Sequence, residues 1–189
     1  ITIPCFNEAE RLDPEKVKIL LSDPRLSIVF SDDGSTDATA QRLEAIRRAH
    51  PGRVEIHTLP ENRGKAEAVR AGMQRALALG AEVVGYLDAD FATPPEENPH
   101  LLDELLRSRA ALALGSRVVR LGADLDRPAS RRYLGRIFST AAAAVLDLSI
   151  YDSQCGAKLF KDTKALRVAL AYPFASRWAF DVELLGRLT

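Results

Sequence analysis

Residues 83–90 read Val-Val-Gly-Tyr-Leu-Asp-Ala-Asp, an apolar run from Val83 that ends in two carboxylates spaced i, i+2. A short apolar run of this kind reads as a buried strand, and a carboxylate pair at its mouth can hold a divalent cation against a phosphate. Upstream, Ile28-Val29-Phe30-Ser31-Asp32-Asp33-Gly34-Ser35 repeats the design, with an apolar run that ends in acids and then in Gly and Ser. Two acid-tipped strands in one sheet point to a nucleotide site.

Outward from these runs, further strand signals fall at Ile1 to Ile3, Leu26 to Phe30, Val54 to Leu59 and Ala111 to Leu114. Helical patterns lie between them at Pro14 to Ser22, Ala38 to Ala49 and Lys65 to Leu79. The order β-α-β-α-β-α-β-α-β predicts an α/β domain with a mostly parallel central sheet flanked by helices. Ser35 and Asp37 are candidate caps for the second helix, Pro51-Gly52 ends it, and Gly80 sits where a C′ glycine stops the next. In such sheets ligands bind at the carboxyl ends of the strands. Asn7, Asp33, Asn62 and Asp88 to Asp90 all fall there. After Ser116 the alternation stops; a loop rich in Arg, Asp and Gly leads to a helical pattern from about Ser130 to Leu148.

The chain has 189 residues, 47% of them hydrophobic, which suits a single domain over 1–189. Lys and Arg number 26 and Asp and Glu 26, so no global field recruits nucleic acid. Cys5 and Cys155 lie in different segments without a Cys-x-x-Cys pattern, which makes a reducing cytosol the default compartment. No apolar stretch reaches the roughly 18 residues of a membrane span, and no signal peptide is visible. The chain starts without Met and stops inside a helical pattern at Thr189, so trimmed ends are expected, which leaves room for an anchor outside this chain.

Ile3-Pro4-Cys5-Phe6-Asn7-Glu8, the Asp32-Asp33-Gly34-Ser35 segment and Asp88-Ala89-Asp90 together resemble the inverting family 2 glycosyltransferases of the GT-A fold. The marks of that family are Pro-x-x-Asn-Glu, Asp-Asp-Gly-Ser and Asp-x-Asp. Asp152-Ser-Gln-Cys-Gly-Ala-Lys-Leu-Phe160 and Arg177-Trp-Ala-Phe-Asp-Val-Glu-Leu184 look like the branch that glycosylates dolichyl or other polyprenyl phosphates, especially its glucosyltransferases. The resemblance implies that Asp90, with Asp88 beside it, binds Mg²⁺ or Mn²⁺ at the donor diphosphate. It implies that Asp33 reads uracil, that Pro4 and Asn7 lie against the nucleoside and that Glu8 helps orient their loop. In mannosyltransferases of this branch a Gln two positions after the second Asp resembles a third metal ligand. This chain has Ala92 there, as glucosyltransferase-like members have a small residue, so UDP-glucose is the expected donor; the alternatives are GDP-mannose as donor or a family 2 transferase with a saccharide acceptor.

Each assignment competes with a plainer reading. Asp-x-Asp alone is a pair of turn acids, and Asp-Gly-Ser alone is a turn. Arg63 and Lys65 open a helix, where positive charge runs against the dipole; an anionic ligand explains them, and both are candidates for base or phosphate contacts. By resemblance Arg117 contacts the acceptor phosphate and Arg131 or Arg132 supplies a second clamp, since guanidinium groups match phosphate geometry. Gln154 and Lys158 rank above ordinary loop residues for the same acceptor. Cys155 reads as a small buried residue. The aromatic and aliphatic residues of Trp178 to Leu184 read as one core-facing helix face. Asp181 is the expected catalytic base or acceptor support, with Arg177 beside it for phosphate charge and with Arg117 and Arg131 completing the catalytic group. The basic start and apolar continuation of residues 131–148 suit an interfacial helix, so the expected location is peripheral, at the cytoplasmic face of a membrane.

Other classes fit poorly. A haloacid dehalogenase phosphatase needs its Thr two residues after the second Asp and its motif on the first strand, and both conditions fail. A dinucleotide-dependent dehydrogenase needs Gly-x-Gly-x-x-Gly after the first strand, which is missing. A catalytically silent nucleotide-sugar binding module is disfavoured by the intact Asp pair.

Overall fold

The computed structural model describes residues 1–115 and 155–188. Strands β1 (Thr2–Cys5), β2 (Ile28–Asp32), β3 (Val54–Thr58), β4 (Val83–Leu87), β5 (Leu112–Leu114) and β6 (Ala157–Lys161) form one sheet in the order β3-β2-β1-β4-β6-β5. The first four run parallel, while β6 pairs antiparallel with both β4 and β5. The helices are α1 (Pro14–Leu20), α2 (Thr39–Ala49), α3 (Lys65–Ala78), α4 (Glu97–Arg107), α5 (Lys164–Ala171) and α6 (Phe180–Gly186).

Strands β1 and β2 are buried along their whole length, as parallel strands covered on both faces must be. Period-2 alternation sorts their side chains. Ile3, Phe30, Leu87 and Leu159 pack with Leu12, just ahead of α1, and with Val17, Leu43 and Leu102 from the layer of α1, α2 and α4. Val29, Tyr86 and Phe160 pack with Val69, Met73, Leu166 and Leu184 from the layer of α3, α5 and α6. Strand order reverses between β1 and β4, and the crevice outside the carboxyl ends of the strands at such a switch point is where ligands bind.

The mostly parallel sheet is as expected, with one strand that the sequence pattern does not reveal. β5 keeps the direction of β4, but β6 is inserted between them. The sequence shows β6 as a polar turn before Leu159-Phe160 because Lys158 interrupts the apolar run. At the helix ends, Gly80 follows the C-cap of α3 with φ 87°, as predicted. Asp37 accepts from the Thr39 N–H (2.9 Å) at the head of α2, whereas Ser35 donates instead to Asp32.

Gly85 fixes the spacing at the antiparallel junction, because a Cβ there would overlap the Lys158 carbonyl oxygen. Gly85→Ala therefore costs about 3 kcal/mol of stability, the upper range for overpacking, read as a lowered urea midpoint. An unchanged midpoint would contradict the close packing of β4 on β6.

Candidate active site

The carboxyl ends of β1, β2 and β4 open into a cavity of about 550 Å³ lined by Pro4, Glu8, Asp33, Lys65, Asp88, Asp90 and Arg177, among others. Seven residues singled out in the sequence thus meet at one mouth. A larger cavity of about 990 Å³ lies at the opposite strand ends. Its arginines are already spent: Arg25 on Asp23 and Asp103, Arg47 and Arg48 on Glu44, and Arg53 on the Leu26 carbonyl.

Asp33 anchors the mouth. Its N–H donates to the Cys5 carbonyl (2.8 Å), tying β2 to β1. Its buried carboxylate accepts from the N–H groups of Arg63 and Gly64, both at 2.8 Å, one on each oxygen. Each oxygen keeps a lone pair for a further donor. Gly34 has φ 69°, and a Cβ there would sit 2.8 Å from the Glu61 carbonyl carbon, so the Asp-Asp-Gly turn can press against the loop that leads into α3.

That loop is clamped from the far end of the chain. The Arg177 guanidinium donates to the carbonyls of Arg63 (3.0 Å) and Asn62 (3.2 Å) and to Asn62 Oδ1 (2.8 Å). In return the Arg177 carbonyl accepts from Ala66 N–H, satisfying a donor in the first turn of α3. Gly64 precedes the helix with φ 96°. Arg177 lines the cavity, but much of its hydrogen bonding is structural.

Asp88 and Asp90 follow β4 as expected. Asp90 is exposed, with one oxygen accepting from Ala92 N–H (2.9 Å). Asp88 Oδ1 lies 2.6 Å from Lys65 Nζ, an ion pair in which that oxygen has no directed hydrogen bond. The Asp88 N–H donates to the Gly156 carbonyl (3.2 Å), and a Cβ on Gly156 would come within 2.6 Å of Asp88 Oδ2. Gly156 therefore makes room for the carboxylate. Glu8 Oε1 accepts from Arg11 (2.8 Å), while buried Oε2 has no partner. Burial raises the Glu8 pKa, the Arg11 guanidinium lowers it, and the Asp90 charge raises it further.

Among the described residues no three carboxylate, imidazole or thiolate groups converge on one point. The residues fit a divalent ion all the same: Mg²⁺-like ions are commonly held by one or two carboxylates and complete their shell with substrate phosphates and water. Asp88 and Asp90 are such a pair, and Asp88 Oδ1 makes no directed hydrogen bond beyond its ion pair with Lys65.

Several expected contacts fall elsewhere. Asn7 does not line the cavity: it adopts φ 54°, its Oδ1 accepts from Thr36 N–H (2.9 Å), and its own N–H donates to Ser35 Oγ (3.0 Å), joining two loops. The Arg63 side chain is exposed beside Glu61 at 3.5 Å; only its N–H serves the site. Lys158, expected at the acceptor phosphate, is 0% exposed on β6, because its Nζ lies 2.6 Å from both Asp181 Oδ1 and the Cys155 carbonyl. Asp181 also accepts from the Tyr86 hydroxyl. Burial pushes the Asp181 acid up to about 7, while the Lys65 ammonium pulls it down. Arg117, Arg131, Arg132 and Gln154, and the expected interfacial helix, lie outside the described residues.

Trp178 overturns its core assignment. Ser176 Oγ accepts from the N–H groups of Trp178 and Ala179 in a turn before α6 begins at Phe180, leaving the indole 74% exposed on the cavity wall. Gly64 and Gly156 are site residues that the sequence reading does not single out, and Asn62, placed there at the ligand-binding strand ends, lines the cavity and accepts from Arg177. Cys5 and Cys155 are free and buried.

The Asp181–Lys158 pair makes a stability prediction. At pH 8, Asp181→Asn takes the Asp181 charge away from a buried ammonium and costs about 3 kcal/mol, the scale for breaking a buried pair. Adding Lys158→Met recovers most of that loss in a double-mutant cycle. Strictly additive losses would contradict the pairing.

The family model for "Glycosyl transferase family 2" matches residues 1–167. A polyprenol monophosphomannose synthase of Mycolicibacterium smegmatis is 29% identical over 99% of this chain and 70% of its own length. The dolichyl-phosphate beta-glucosyltransferase of Saccharomyces cerevisiae is 31% identical over 98% of this chain, which spans 60% of that relative. In structure, glucosyl-3-phosphoglycerate synthase of Mycobacterium tuberculosis, solved with Mn²⁺, UDP and phosphoglyceric acid, matches with a TM-score of 0.65 at 22% identity, over 97% of this chain and 61% of its own. A mannosyltransferase of Pyrobaculum calidifontis, solved with GDP-Man and Mn²⁺, gives a TM-score of 0.63 at 22% identity, over 95% of this chain and 49% of its own. The acid-tipped strands, their shared mouth and the extent of the match lead to one assignment: the chain belongs to glycosyl transferase family 2, on the GT-A fold.

Proposed function

We propose that this domain transfers one hexose, glucose in preference to mannose, from a nucleoside diphosphate sugar to a polyprenyl phosphate of the dolichyl type. The observation that carries the reading is the convergence of Asp33, Lys65, Asp88 and Asp90 on one cavity. Asp33 offers acceptors to a base N–H from an oxygen pair already held rigid by two backbone amides. Pro4 lies in the same wall, Glu8 lies within the field of Asp90, and Lys65, on that wall too, would meet a diphosphate. When bound at Asp88 and Asp90, Mg²⁺ or Mn²⁺ supplies Lewis-acid neutralisation of the charge that develops on the leaving nucleoside diphosphate.

The acceptor is a phosphate monoester, ionised at neutral pH. One of its oxygens bonds to the anomeric carbon as the bond from that carbon to the diphosphate breaks, on opposite faces, so the configuration inverts. The nucleophile needs positioning more than deprotonation. Asp181, buried behind Lys65 and tied to Lys158, fits a supporting role better than that of a base. Arg117, Arg131 and Gln154 are the remaining acceptor candidates, and Arg177 contributes charge from the cavity wall. No helix among the described residues is long and apolar enough to cross a membrane; peripheral contact through residues 131–148 is part of this proposal.

The alternative donor is GDP-mannose, favoured by the likeness to the Mycolicibacterium synthase over nearly the whole chain. Glucose is preferred because Ala92 supplies no side-chain oxygen beside Asp90 where the mannosyl enzymes of the branch carry Gln.

Incubation with a short polyprenyl phosphate, Mn²⁺ and labelled UDP-glucose or GDP-mannose separates the two. The expected product is the glucosyl lipid, formed at least about tenfold faster than the mannosyl lipid, a margin near 1.4 kcal/mol in the barrier. Faster mannosyl transfer would reverse the donor assignment.

A further inference from the structure

Lys65 is the first residue of α3, where the helix dipole disfavours a cation. It is held there by the Gly64 turn and by the Asp33 clamp on the two preceding amides. Its Nζ lies 2.6 Å from Asp88 Oδ1, both side chains being 28% exposed, and its field also reaches the Asp181 carboxyl. One ammonium is thus paired with a carboxylate of the Asp88 and Asp90 set that would hold a divalent ion, and its field touches a second carboxylate. Nothing in the donor-site reading requires this contact; a lysine that only met phosphate could equally point into the open cavity.

We propose that Lys65 is an internal counter-ion that occupies Asp88 until a nucleoside diphosphate arrives, so that metal and nucleotide load as a unit and the bare metal is held weakly. The inference rests on the donor-site reading above. A divalent cation approaching Asp88 meets the Lys65 ammonium at close range, and like charges cannot share the carboxylate without loss. A diphosphate removes the conflict by giving Lys65 another anion to pair with, and the second carboxylate, Asp181, shares the positive charge as Lys65 leaves Asp88. The metal and the nucleotide then strengthen each other's binding by the same factor, as linkage requires.

The test is a titration of Mn²⁺ followed by electron paramagnetic resonance of the free aquo ion, with and without UDP, on the wild type, Lys65→Met and Lys65→Arg. In Lys65→Met, Mn²⁺ alone binds roughly fivefold more tightly, the scale of one partly exposed ion pair, and the gain shrinks in high salt. UDP binding in the presence of Mn²⁺ weakens in the same variant, so the mutual enhancement of metal and nucleotide falls. Lys65→Arg, which keeps the charge, leaves metal-only affinity near the wild-type value. Lys65→Met with unchanged or weaker affinity for Mn²⁺ alone overturns the counter-ion role while leaving the donor site intact. If the wild type binds Mn²⁺ no better with UDP than without it, the donor-site reading itself fails, and this inference goes with it.

Discussion

The grip of one carboxylate on two backbone amides organises the mouth of this protein. Asp33 sits just past the end of β2 and holds the N–H groups of Arg63 and Gly64, while its own N–H is held by the end of β1. Charge-assisted bonds of this kind are about twice as strong as neutral ones. The consequence is positional: the loop before α3 is fixed, Lys65 is set opposite Asp88, and Arg177 finds two carbonyls and an amide to clamp. The same two oxygens each keep a lone pair beyond the one taken by a backbone amide.

The floor beneath the mouth is ionic rather than apolar. Lys158 and Asp181 lie under the β4 to β6 junction with the Tyr86 hydroxyl and ring against them. A buried pair of this kind adds little net stability over a hydrophobic pair of equal volume, yet losing one partner is costly. Its value here is that Asp181 lies within the field of Lys65. Charges of alternating sign, Asp88, Lys65, Asp181 and Lys158, therefore run from the open cavity into the sheet.

Much of this was legible in the sequence because it is local. The acid-tipped strands, the alternation with helices and the glycine that stops α3 depend on neighbours within a few residues. What escaped depends on distant approach. β6 was obscured because a lysine within a strand reads as polar loop until Asp181, 23 residues on, is seen to neutralise it. Gly156 matters only because Asp88 occupies the space a Cβ would fill. Trp178 matched a helix face by spacing, but the helix begins two residues later. Asn7 belongs to a motif that invites a ligand role, yet its side chain joins two loops.

The most direct test of the central claim, that these acid-tipped strands form a metal-dependent nucleotide site, is calorimetric titration of UDP with Mn²⁺ and with a chelator, on the wild type and on Asp90→Ala. The account predicts binding that requires the metal and is lost in the variant. Binding that is indifferent to both the chelator and the substitution would contradict it.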